Sequence, residues 1–238
     1  MLWYKAWLET RSRFLISLGG ILGICSYRVY YLDSLGDSTT LPSWYYFVLQ
    51  QTHEQLCLFW VLAVMLLMMG GLVREKAVGA STFTLSLPVS RTRLMGVRIS
   101  VGLIEAVAMT IVPWVVIFLI AIATGKANSV SWALFHVVLL AGGGLVFFAF
   151  SLLISSLVEG EYTAPALSLG IVLAVAFAMG DKPLRAYSPL NLIAGRECLD
   201  SQMATLVGPL PWLRLTVTIL IAALFTVISI KAIQRREF

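Results

Sequence analysis

Residues 132–158 read WALFHVVLLAGGGLVFFAFSLLISSLV, twenty-seven consecutive positions without an Asp, Glu, Lys or Arg. As a helix this run is ~40 Å long, more than the ~30 Å hydrocarbon core of a bilayer. A transmembrane strand needs only about ten residues of alternating polarity, and no alternation is present. Five further apolar stretches accompany it: Phe14–Leu32, Leu56–Val73, Ile99–Thr124, Tyr162–Met179 and Trp212–Ile230. Apolar residues make up 59% of the 238, and charged residues 12%, where soluble domains carry about 25% charge. That excludes a soluble globular domain, and the apolar excess excludes disorder. Three cysteines, Cys25, Cys57 and Cys198, without close spacing exclude a disulfide scaffold. The expected fold is an all-α integral membrane protein with six transmembrane helices. At about 20 residues per span, little chain remains for a soluble domain.

Basic residues orient the spans. Lys5, Arg11 and Arg13 precede the first; Arg74, Lys76, Arg91, Arg93 and Arg98 lie between the second and third; Lys231, Arg235 and Arg236 follow the last. Eleven of the 17 Lys and Arg thus fall on one side and five on the other, with Arg28 inside the first span. The positive-inside rule then places both termini in the cytoplasm. Residues 1–13, MLWYKAWLETRSR, bring Trp3, Trp7 and Leu8 toward one helical face, which predicts an amphipathic interfacial helix before the first span. An external loop is expected over 180–211. Its stretch NLIAGRECLDSQMATLV, set among Pro183, Pro189, Pro209 and Pro211, suits either a short helix dipping toward the bilayer or a surface loop.

Catalytic signatures are missing. There is no GxxxxGK[ST] loop, since Gly125-Lys126 is followed by Ala127; no HExxH or CxxC occurs; and His53 and His136 have no neighbour at metal-ligand spacing. The expectation is a chain that is not an enzyme and holds no cofactor or metal. Arg28 lies near the external end of its span, where it can snorkel to the headgroups. Glu105 lies well inside the third span, seven residues or roughly 10 Å beyond Arg98. Two readings stand for it: a buried carboxylate hydrogen-bonded to a neighbouring helix or wet cleft, or a contact or gating group in a translocation path. Gly142, Gly143 and Gly144 permit close backbone approach in the fourth span.

The segment joining the second and third spans, residues 74–98, is longer than a turn requires. Ser81 or Thr82 can cap a short helix carrying Phe83, Leu85 and Leu87, Pro88 interrupts it, and Ser90 can cap the next helix with Arg91 and Arg93 in its first turn. Physics alone leaves two roles open: floating at the headgroups on anionic lipid, or docking on a cytoplasmic partner.

These residues resemble a family. Glu75-Lys76, Gly79, Thr82, the run LSLPVSR over Leu85–Arg91, the basic start of the third span and the terminal RREF, Arg235–Phe238, are similar to the membrane subunit of type 2 ATP-binding-cassette (ABC) exporters. The resemblance implies a permease whose residues 74–98 hold a coupling helix docking on a separate cytoplasmic ABC ATPase. Phe83, Leu85, Leu87, Arg91 and Arg93 would carry that contact, and Glu105 is the candidate for the translocation path. It further implies two ATPase copies that bind ATP and Mg, a second membrane subunit, identical or homologous, and residence in a plasma membrane such as a bacterial inner membrane. The substrate expected is a lipid, a hydrophobic drug or an amphipathic peptide, and no nucleic acid is involved. The competing expectation is a non-transporting membrane scaffold or assembly factor that docks a partner through the same loop.

Overall fold

The computed structural model describes residues 2–32, 42–68, 91–125, 129–158, 163–179, 187–199 and 209–235. Seven α-helices are found among them: α1 (Leu2–Tyr27, continued by a π-helical turn over Arg28–Leu32), α2 (Pro42–Leu67), α3 (Arg91–Ala123), α4 (Val130–Leu157), α5 (Thr163–Ala178), the short α6 (Pro189–Ala194) and α7 (Trp212–Arg235). A single 3-10 turn, Arg196–Cys198, follows α6. Among the described residues four segments are long and apolar enough to cross a membrane: Leu2–Tyr31, Arg93–Ala123, Val130–Leu157 and Trp212–Arg235. The expected coupling helix with Phe83, Leu85 and Leu87 lies outside the described residues.

Over the described residues each of the six apolar runs falls on a helix, but three helices start earlier than hydropathy suggests. Leu2–Tyr27 continues unbroken across residue 13, where the sequence reading ends an interfacial helix over 1–13 and begins a span. No Pro or Gly occurs before Gly19, so nothing in the chain stops the first helix from propagating. Pro42 begins α2, at a position where its missing N–H costs nothing. This is fourteen residues ahead of the apolar run at Leu56, because the polar stretch QQTHEQ (50–55) lowers hydropathy without disfavouring helix. The third helix starts at Arg91 and reaches ~50 Å.

At the centre of the bundle stands α4. It is apolar all round, as a buried or membrane-spanning helix is, and it packs against α2, α3, α5, α6 and α7. Its three glycines each receive a different neighbour. A Cβ on Gly142 would lie 3.2 Å from Leu215 of α7, one on Gly143 2.9 Å from Ile193 of α6, and one on Gly144 2.6 Å from the Trp60 ring of α2. Three elements therefore crowd one turn of α4, those at Gly143 and Gly144 more closely than a Cβ there would allow without a shift. The Trp60 indole N–H donates to the Ala106 carbonyl of α3 at 3.0 Å, which brings the third helix onto the same centre. By contrast, α5 buries only Ala164 and Ser168.

Candidate functional site

Two polar networks interrupt this apolar packing. The first lies between α1 and α3. Glu9 faces Arg98 at 3.5 Å and Lys5 at 3.9 Å, so the N-terminal ends of the two helices lie side by side. Farther along the same seam Glu105 is 2% exposed, and its Oε1 accepts a hydrogen bond from the Thr10 hydroxyl. Thr10 Oγ1 is also 3.2 Å from the Ala6 carbonyl of its own helix. The other carboxyl oxygen, Glu105 Oε2, is buried without a protein partner. A groove lined by Leu2, Lys5, Ala6, Glu9, Met95 and Arg98 opens at this end of the seam. Glu105 is therefore buried and hydrogen-bonded to a neighbouring helix.

The second network lies at the other end of α3, where Trp114 is sixteen residues, or ~24 Å, beyond Arg98. It joins α2, α4 and the loop helix α6. His53 Nε2 is 2.9 Å from the Ile193 carbonyl, and the Gln50 amide donates to the Ala194 carbonyl at 2.9 Å and to Glu54 Oε1 at 3.2 Å. His136 places Nδ1 2.9 Å from the Trp132 carbonyl and Nε2 3.0 Å from Gln50 Oε1. Gln50, His53 and His136 are each 0% exposed. The histidine rings meet edge to face at 4.4 Å between centroids, and Trp132 lies against His136 at 4.0 Å. Trp114 closes the cluster, 5.7 Å from each histidine. The His53 Nδ1, Trp114 Nε1 and Trp132 Nε1 atoms are buried there without a protein partner.

The loop closes over this cluster because its local chemistry fixes α6. Pro189 opens the helix, and Gly195 ends it at φ 70°, a left-handed conformation suited to glycine. A Cβ on Gly195 would stand 2.9 Å from Leu139 of α4, so the turn needs glycine for space as well. Beyond it, Arg196 forks onto both Glu54 carboxyl oxygens, with Nη2 at 2.5 Å from Oε2. That hydrogen-bonded carboxylate raises the Arg196 pKa above its ordinary value. Arg214 at the start of α7 holds Glu197 at 2.5 Å, which ties the loop to a third helix. Burial raises the pKa of the half-buried Cys198 thiol, with Glu197 adding to the shift.

Of the residues singled out in the sequence, Glu105 is buried in the first network and Arg93 is exposed in the first turn of α3. Arg91 begins that helix. Arg28, at the start of the π-helical turn, is half-buried. The second network escapes a reading based on spacing, since His53 and His136 are far apart in the chain and match no metal motif. One signal was present: QQTHEQ sets six polar residues in a row against an apolar span, and such a run inside a membrane helix needs partners.

No curated protein matches the chain. Residues 33–197, about two-thirds of its length, match the family described as ABC-2 family transporter protein. The matched region runs from ahead of α2 through α6, the elements that build the second network. Helices able to cross a membrane, packed around α4, agree with that assignment. The chain belongs to the ABC-2 transporter family, as a membrane subunit of a type 2 ABC transporter.

Proposed function

We propose that the chain is the permease of an ATP-driven exporter, moving a lipid, a hydrophobic drug or an amphipathic peptide. ATP and Mg are bound by a separate cytoplasmic ATPase, and a second membrane subunit completes the path. The observation that carries this reading is the family match over 33–197, which includes the segment of residues 74–98. In this proposal α1 to α5 and α7 are six spans with both termini in the cytoplasm of a plasma membrane. The side-by-side N-terminal ends of α1 and α3 support that arrangement, since they put two of the three basic clusters at the same end of the bundle. Phe83, Leu85 and Leu87 then anchor the coupling helix in the ATPase, with Arg91 and Arg93 beside its acidic surface. Glu105 lies on the α1–α3 seam, and parting of that seam in the cycle would bring it to the translocation path. Affinity purification of the tagged chain from its native membrane tests the proposal. An ABC ATPase is expected to copurify, and its hydrolysis is expected to depend on this chain and to drive efflux from reconstituted vesicles. A partner without ATPase activity would favour the scaffold instead.

A further inference from the structure

We propose that His136 is a proton-binding site, and that its imidazolium form helps hold the loop helix α6 on the bundle through Gln50. The argument is an inventory of donors. Both ring nitrogens of His136 face oxygens: Nδ1 the Trp132 carbonyl at 2.9 Å, and Nε2 the Gln50 side-chain oxygen at 3.0 Å. A neutral imidazole has one N–H and satisfies only one of them. Turning the Gln50 amide does not help. Its nitrogen lies 2.9 Å from the Ala194 carbonyl and 3.2 Å from Glu54 Oε1, so a turned amide would set its oxygen against two acceptors. With a proton on each ring nitrogen every contact becomes a donor–acceptor pair. His136 then donates to Trp132 and Gln50, and Gln50 donates to Ala194 and Glu54.

A charge buried here loses its hydration, and two indole rings offset part of that cost. The Trp132 ring lies against the imidazole at 4.0 Å and the Trp114 ring at 5.7 Å, both within reach of a cation–π contact. Among the described residues, the charged and titratable groups packed around the site are those of α2 and the loop. His53 uses Nε2–H toward Ile193 and has no partner at Nδ1, which fits a neutral ring and avoids a second charge 4.4 Å away. Glu54 is linked to His136 through Gln50 and paired with Arg196. Cys57 lies 3.4 Å from His53. Toward His136, α3 presents Trp114, and α4 adds Trp132 and Phe135, none of which titrates. Loss of the proton leaves one N–H for two oxygens: on Nε2 it keeps the Gln50 bond and sets the Nδ1 lone pair against the Trp132 carbonyl, and on Nδ1 it sets the Nε2 lone pair against the Gln50 oxygen. Relief of the latter contact turns the amide away from Ala194 and removes one anchor of α6. Docking is therefore tightest while His136 is protonated and loosens as pH rises through its titration.

The chain has two histidines, so labelling histidine with 15N in the full-length protein in nanodiscs gives two ring systems. The expected spectrum shows one imidazole with both nitrogens protonated at low pH, converting to a single N–H as pH rises. That signal should vanish in His136→Phe, and Gln50→Leu should weaken proton binding about tenfold, the effect of losing one hydrogen bond to a charged group. Backbone hydrogen exchange over residues 189–199, corrected for intrinsic rates, should rise with pH in the wild type and be high throughout in His136→Phe. Two histidines with one protonated nitrogen each, at every pH where the protein stays folded, would overturn the proton site. Equal exchange over 189–199 in wild type and His136→Phe would overturn its role in docking. If Gln50→Leu fails to assemble, the wild-type spectrum decides alone.

Discussion

Gly144→Ala tests the packing at the centre of the bundle. The added methyl would sit 2.6 Å from two carbons of the Trp60 ring, and that ring is 1% exposed. Overpacking of this kind costs ~1–3 kcal/mol. Displacing the indole also lengthens its 3.0 Å bond to the Ala106 carbonyl, a loss of about 1 kcal/mol. Helix propensity returns about 1 kcal/mol when alanine replaces glycine. The net expectation is destabilisation by ~1–3 kcal/mol. Gly170 on α5 supplies the control, because nothing lies within 4 Å of a Cβ there, and Gly170→Ala should be neutral or slightly stabilising. Unfolding of both variants in nanodiscs, read by tryptophan fluorescence and retention of the folded peak, makes the comparison. Trp60→Phe in the Gly144→Ala background should recover part of the loss, as a non-additive pair. Equal stability of Gly144→Ala and Gly170→Ala would refute the close approach of α2 to α4.

Other expectations follow from the two networks and the proposed topology. Glu105→Gln should preserve folding and expression, and, if Glu105 serves the path, reduce efflux; unchanged efflux would assign it to structure alone. Thr10→Val removes the only protein partner of the Glu105 carboxyl among the described residues and should cost about 1–3 kcal/mol in the same unfolding assay. Arg196 is substantially exposed, so Arg196→Ala should change global stability by less than about 1 kcal/mol while raising hydrogen exchange over 189–199. In a background lacking Cys25, Cys57 and Cys198, single cysteines near residues 40 and 190 should react with an impermeant thiol reagent in sealed cells, and those near 85 and 236 should not. For the coupling segment, Phe83→Asp and Leu87→Asp should detach or uncouple the ATPase while Thr84→Asp leaves it bound; retention of the partner by all three would remove that segment from the interface.

Hydropathy was sufficient to locate helices because a membrane helix must satisfy its own backbone, which makes each apolar run helical almost by necessity. It misplaced helix starts where polar residues are satisfied by other parts of the chain. In α2, residues Gln50, His53 and Glu54 look like the edge of a loop until α4 and the loop helix supply their partners. Glu105 was visible as a lone charge inside an apolar run, but nothing in the run named Thr10, ninety-five positions away, as its partner. The Gly142–Gly144 triplet announced close packing without showing that three different elements would use it. Pairings across the fold depend on which helix faces touch, and hydrophobic periodicity says little when α4 is apolar on every side.

The two networks bind the third helix differently, and that difference bears on how motion could cross the bundle. Near its start, α3 is held to α1 by the Glu9–Arg98 ion pair and the Thr10–Glu105 hydrogen bond. In the second network it contributes the Trp114 ring, which lies against His53, His136 and Trp132 without a side-chain hydrogen bond. Ring contacts are less directional than hydrogen bonds and tolerate small sliding, whereas the bonds joining α2, α4 and α6 are directional and break on it. Under the proposed function, force arriving from residues 74–90 enters α3 at Arg91 and carries α1 with it. Such a displacement slides Trp114 across the histidine cluster while the loop helix stays anchored to α2 and α4. Release of the loop then requires a separate event at Gln50 and His136, so the two ends of the bundle need not open together.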